Sequence, residues 1–154
     1  MADVHDRRTR SRNMSAISSK NTRPELTIRK ILHSSGYRYR INVKSLRGNP
    51  DICLPAHNAL IFVHGCFWHH HDCHLFAWPK TRKVFWETKI YGNVNRDHET
   101  ITHLLKEWRV AIVWECSMKG KTRIDSNELY LRLHKWIESR EPYHEIQGTN
   151  TGAK

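Results

Sequence analysis

Two short apolar runs constrain this chain more than any other feature. Ala59–Val63 (ALIFV) and Trp108–Glu115 (WRVAIVWE) each have the length and residue types of one strand buried in a sheet. Between them a helical pattern extends from about Arg82 to Glu107, with Gly92 as the expected place for an interruption. Upstream, Thr22-Arg-Pro-Glu25 is a capping box with proline in the first turn. It predicts a helix over Pro24–Ser35 that stops at Gly36 and buries Ile28, Ile31 and Leu32. Tyr37–Val43 alternates as a half-exposed strand, Gly48-Asn49-Pro50 is a turn, and Asp51–Leu54 is a short strand. Asp125–Glu128 caps a last helix with Leu129, Leu133, Trp136 and Ile137 on one face. This order predicts a single mixed α/β domain whose central sheet is flanked by helices. The expected division is an N-terminal arm over 1–20, the domain over 21–140 and a flexible polar tail over 141–154.

Charge narrows the class of partner. The 154 residues hold 26 Lys and Arg against 15 Asp and Glu, for a formal charge of +11. The first 47 residues carry twelve of those cations and three acids. A basic lobe of this kind fits nucleic acid, and equally a solvated basic face. The arm, with Met14 and Ile17 as its few apolar residues, has little to bury and is suited to ordering on a partner. No stretch reaches the ~18 apolar residues of a membrane-spanning helix. The N-terminus has no apolar core like that of a signal peptide, so a cytoplasmic protein is expected. There the four cysteines read as thiols or metal ligands rather than disulfides.

The segment Asn49–His74 concentrates the chemistry. It carries Asp51 behind a proline, then His64-Gly-Cys-Phe-Trp68, three consecutive histidines, Asp72, Cys73 and His74. Cys66 follows one apolar run and Cys116 ends the other. If the two strands are neighbours, Cys66, Cys73 and Cys116 approach, and one of His69, His70, His71 or His74 completes a closed Cys3His zinc site. The bland alternative is a set of buried core cysteines, which is how Cys53 reads. Asp97 is out of place. It falls within the stripe Ile90, Val94, Ile101, Leu104 and Leu105, where an ionised carboxylate needs a partner, either a histidine that it orients or a structural cation. Glu25 is explained by its capping box. Asp51 has the hard oxygens that suit Mg²⁺, although most Pro-Asp pairs are turns. Phe67-Trp68 and Phe85-Trp86 are aromatic pairs beside loops, suited to core packing or to wedging between bases.

Together Pro50-Asp51, FVHGCFWHHHDC at 62–73, TRxxFWxxKIxxNVxRD at 81–97 and VWEC at 113–116 resemble the very short patch repair (Vsr) DNA mismatch endonucleases, over nearly the whole chain from Arg10 to about Lys121. The resemblance implies a restriction-endonuclease-like α/β fold. It implies a strand-specific nick 5′ to the T of a T:G mismatch, the product of 5-methylcytosine deamination, which initiates very short patch repair. It further implies a catalytic Mg²⁺ on Asp51 and the Val63 main-chain carbonyl, His69 as the general base oriented by Asp97, and Glu25 and His64 around metal-bound water and phosphate. Structural Zn²⁺ falls to Cys66, His71, Cys73 and Cys116. Phe67, Trp68 and Trp86 would wedge beside the mismatch, with Met14 entering from the minor groove, while Lys89 and Asn93 would contact the mispaired bases. The second acid and the lysine usual in restriction-type nucleases are replaced here by Phe62-Val63-His64, so only the Vsr arrangement fits. The partner expected is double-stranded DNA with a T:G mismatch, then mismatch-repair proteins. The chain itself is expected as a bacterial, cytoplasmic, nucleoid-associated monomer. Without the resemblance, the same features fit a zinc-stabilised mismatch-binding module that does not cut, or a hydrolase that uses a catalytic zinc.

Overall fold

Thr22 begins the described part of the chain. A computed structural model describes residues 22–149; the arm over 1–20, with Met14, and residues 150–154 lie outside the described residues. The Thr22 hydroxyl accepts the Glu25 N–H, Pro24 occupies the first turn, and helix α1 runs Arg23–Ser34. Gly36, at φ +84°, takes the left-handed turn that ends it. The Thr22 cap therefore forms as expected, while the Glu25 carboxylate pairs with Arg29. Ile28 and Leu32 are fully buried, while Ile31 only borders the core.

Strand β1 is just Arg40–Ile41, shorter than the alternation over Tyr37–Val43 predicts. Asn42 takes φ +48° and breaks the ladder, although its N–H still reaches the Asp51 carbonyl at 3.1 Å. Strand β2 is Ile52–Leu54 and β3 is Ala59–His64. Helix α2 spans Lys83–Leu104 without a break at Gly92, where a side chain would meet only the Arg96 guanidinium. Strand β4 is Arg109–Trp114 and helix α3 is Ser126–Ile137, capped by Asp125 through the Glu128 N–H at 2.8 Å. The tail departs from expectation. Tyr143–Ile146 forms strand β5, so the folded domain extends past residue 140. Ile146 is 1% exposed and inserts into the core, which anchors an otherwise polar segment.

The five strands lie in the order β1-β2-β3-β4-β5. The β1–β2 and β2–β3 pairs are antiparallel, and β3–β4 and β4–β5 are parallel. Alternating side chains of the central strands feed two cores. Ala59, Ile61, Ala111 and Val113 pack with α1 and α3. Leu60, Phe62, Val110 and Ile112 pack on the opposite face with Leu104 of α2. Cys53 lies in this second core, as expected. A mixed sheet between helices is the restriction-endonuclease-like arrangement.

Arg109 ties the bottom of the sheet together. Its guanidinium donates to the carbonyls of His57 (2.9 Å), Ile137 (2.8 Å), Trp136 (3.1 Å) and Glu141 (3.4 Å), and lies 4.7 Å over the Trp136 ring. It satisfies the last carbonyls of α3 and fixes the turn leading into β5. Arg109→Ala is expected to destabilise the fold by about 2–3 kcal/mol in urea unfolding, because four bonds from a charged donor are lost and the His57 and Ile137 carbonyls lose the donor that faces them. A loss under about 0.5 kcal/mol would show that water replaces the guanidinium without cost.

Candidate active site and metal centre

The parallel register of β3 and β4 builds the site. His64 stands opposite Trp114, so the loop leaving β3 lies beside the turn leaving β4. Ligand sites commonly form at this carboxyl end of parallel strands. Cys66 and Cys116 are the first cysteines beyond each strand and therefore meet. The donor atoms of Cys66, His71, Cys73 and Cys116 all lie within 4.8 Å of one another. His71 Nδ1 is 3.6 Å from both Cys66 Sγ and Cys116 Sγ. An S···N edge of about 3.6 Å is what tetrahedral coordination with ~2.3 Å Zn–S and ~2.1 Å Zn–N bonds produces.

The four candidate histidines have separated. His71 faces the thiols. His69 turns to Asp97. His70, at φ +54°, packs against Phe76, Trp78 and Tyr91. His74 lies beside Thr122. Protons compete inside the cluster. The hydrogen bond from Cys66 pulls the Cys116 thiol down to about 4 against the opposing effect of burial, and the same bond pushes Cys66 up. Burial draws His71 down, but its bonds to Cys116 and Cys73 outweigh this and raise it to about 9. Soft donors that must share protons when no cation is present are suited to binding one.

A second cluster forms around His64, His69 and Asp97, whose donor atoms also lie within 4.8 Å of one another. His69 Nδ1 is 2.5 Å from Asp97 Oδ2, which accounts for a carboxylate on the apolar stripe of α2. The partner is thus the histidine rather than a structural Arg or Lys. The rings of His64 and His69 stack at 3.7 Å, only 4° from parallel. Burial, together with His69 next to it, holds His64 well below the usual imidazole range, so it is neutral. Its Nδ1 is buried and has no hydrogen-bond partner among the described residues. A buried ring nitrogen in this position is suited to hydrogen-bond an ordered water or a bound group.

Asp51 lies at the start of β2, and its Oδ2 accepts the Val63 N–H at 2.7 Å. Burial raises its pKa to about 7 against that hydrogen bond, and the neighbouring Glu25 carboxyl raises it further. Glu25 is 3% exposed and pairs with Arg29 at 3.2 Å. Two carboxyls held this close suit a hard divalent cation. Glu25, Asp51, Val63, His64, His69 and Asp97 all line one cleft of about 840 Å³.

Phe67 and Trp68 line the same cleft. They join Trp86 of α2 in an aromatic group, with Phe67 and Trp86 edge-on at 5.5 Å between centroids and Trp68 and Trp86 tilted at 6.0 Å. Asn93 donates to the Trp68 carbonyl at 2.9 Å and accepts from Arg96. Lys89, one turn earlier, is exposed.

Three contributors escaped the reading of the sequence. Trp114 stands between the clusters, stacked on His71 at 4.2 Å and edge-on to His64 at 5.3 Å. Glu115 accepts the Cys66 N–H at 3.2 Å and pairs with Lys119 at 3.6 Å. Gln147 bonds His71 Nε2 at 2.8 Å. The Val-Trp-Glu-Cys motif flags the first two by adjacency, whereas nothing near Gln147 marks it.

Known proteins resemble the chain closely. A family model described as DNA mismatch endonuclease Vsr matches residues 2–75. The DNA mismatch endonuclease Vsr of Escherichia coli is 46% identical over 138 residues, covering 89% of this chain and 88% of that protein. The type II nicking enzyme V.XorIIP of Xanthomonas oryzae is 48% identical over 106 residues, 68% of this chain and 78% of its own length. V.NmeAIP of Neisseria meningitidis, also a type II nicking enzyme, is 43% identical over 122 residues, 79% and 87% of the two chains. Identity of this extent across most of both chains, on a fold of the expected form, places the chain in the Vsr family of DNA mismatch endonucleases.

Proposed function

We propose that this protein is a Mg²⁺-dependent endonuclease that nicks one strand of duplex DNA 5′ to the T of a T:G mismatch. The observation that supports it best is the His69–Asp97 pair facing buried Asp51 across a single cleft. Asp51 and the Val63 carbonyl would hold Mg²⁺; the Val63 N–H already points at Asp51, and a strand residue directs its N–H and C=O to the same edge. The ion, when bound, supplies positive charge for the developing phosphorane. With Nδ1 engaged by Asp97, His69 Nε2 is the nitrogen left to take a proton from the attacking water. Neutral His64 and the Glu25 carboxylate would hold water and phosphate oxygens beside it.

The Cys66–His71–Cys73–Cys116 donor set fits Zn²⁺ better than Mg²⁺, because three thiolates are soft ligands and four protein donors leave no open position. That site would hold the loop in place and take no part in the cutting. Phe67, Trp68 and Trp86 would enter the helix at the mismatch, where unstacking costs least. Lys89 and Asn93 are placed to reach the exposed base edges. Met14 and the basic arm would act from the minor-groove side. The expected context remains a monomer on DNA in the bacterial cytoplasm, with mismatch-repair proteins as further partners. No helix among the described residues is long and apolar enough to cross a membrane.

With end-labelled duplexes, Mg²⁺ should give a single nick on the T strand of a T:G duplex and none on T:A or C:G. EDTA should stop it. Binding without cutting would replace this reading with a mismatch-binding module. Cutting sustained by Zn²⁺ alone would point to a zinc hydrolase.

A further inference from the structure

We propose that Gln147 and Gly148 form a strap that closes the Cys66–His71–Cys73–Cys116 cluster and sets how long it holds its metal. This rests on reading that cluster as a metal centre. β5 ends at Ile146, which is 1% exposed and fixes where the chain emerges. The next three residues then cross over the turn that carries Cys116. Gln147 Oε1 lies 2.8 Å from His71 Nε2, on the side of the ring away from the thiols. An amide oxygen there accepts the Nε2 proton, so the Nδ1 lone pair stays directed at the three sulfurs. The Gly148 N–H donates to Cys116 Sγ at 3.3 Å. Thr149 closes the strap by donating its N–H to the Thr122 carbonyl at 2.7 Å.

Gly148 is required by contact. A side-chain carbon there would come within 2.5 Å of the Cys116 carbonyl and the Thr122 hydroxyl and 2.6 Å of the Thr122 carbonyl. Only a residue without a Cβ brings the backbone N–H that close to the sulfur. The chemistry favours such a donor. Three thiolates and a divalent cation leave one net negative charge, and an N–H aimed at a thiolate stabilises it and makes it less ready to take a proton or meet a chelator. The cluster has a second bond of this kind, from the Cys116 N–H to Cys66 Sγ at 3.3 Å, supplied by the backbone of one of the four donor residues. Gln147 and Gly148 add support from outside those four residues.

The test loads full-length protein with Zn²⁺ and follows transfer of the metal to a chromophoric chelator. Gln147→Ala should release Zn²⁺ about tenfold faster, at the lower end of the 10–100-fold typical for partners that orient ligands. Gln147→Glu, which keeps an acceptor for Nε2–H, should return the rate to within about threefold of wild type. Gln147 is exposed, so Gln147→Ala should melt with the wild type once both are stripped of metal. Wild type that retains Zn²⁺ alongside a Gln147→Ala variant that releases it at the same rate would overturn the strap alone. Wild type that binds no Zn²⁺ would overturn the metal centre on which the strap rests, and the strap with it.

Discussion

His69→Ala should lower the rate of nicking on a T:G duplex by about 10²–10⁴-fold while leaving duplex binding within about threefold of wild type. The geometry separates catalysis from folding at this position. The His69 and Asp97 side chains are 25% and 26% exposed, so removing the ring leaves a carboxylate that water can reach. The stability cost should therefore stay near ~1 kcal/mol, small against a catalytic loss of several. Asp97→Asn sharpens the test. An amide can present its N–H to Nδ1, which moves the ring proton to Nε2 and leaves the base in the wrong tautomer. It should lose activity on the same order without weakening DNA binding. A double variant should be little worse than either single change, since both disable one unit. Additive losses would mean that Asp97 acts elsewhere, and full activity in His69→Ala would remove the proposed base.

The elements that were legible in the sequence are those whose local chemistry agrees with the fold. Thr22 and Asp125 each carry a side-chain oxygen at a helix start. Ala59–Val63 and the apolar core of Trp108–Glu115 are buried on both faces, so their runs are unbroken. Asp97 was legible because a charge on an apolar stripe requires a partner. Identifying His69 as that partner required the resemblance, and the geometry agrees with it. What was not legible depends on long-range pairing. β5 buries one side chain fully, Ile146, and its remaining residues read as a polar tail. Gln147 becomes meaningful only where β5 ends beside His71. Spacing could not choose among four histidines within six residues, because the choice depends on the Trp114 face against which His71 stacks. The β1 strand is shortened by a left-handed Asn42, which an alternating pattern does not anticipate.

Cys73→Ala should lower the melting temperature by about 10 °C or more, and EDTA-stripped wild type should melt close to the variant. Cys73 is the informative choice because it is the least buried thiol of the four. Its packing alone is worth about 1 kcal/mol or less, so a loss of ~3 kcal/mol or more has to come from the metal. If purified wild type carries no metal and Cys73→Ala melts within ~2 °C of it, the cluster is a packed group of thiols and no clamp exists. The order of residues makes the clamp matter for cutting as well. Phe67, Trp68 and His69 lie between Cys66 and His71, so two donors to one ion would fix both ends of the loop that bears the proposed wedge and the proposed base. No regular strand or helix holds this loop. Among its backbone bonds, the His71 N–H returns to the Cys66 carbonyl at 2.9 Å and the His69 N–H to the Gly65 carbonyl at 3.2 Å. Loss of the metal would free those ends and raise the entropy of the loop, and with it the cost of setting His69 against Asp97. Metal-depleted protein should therefore lose nicking activity at temperatures where its far-UV circular dichroism is still native, and adding Zn²⁺ back in the presence of Mg²⁺ should restore it.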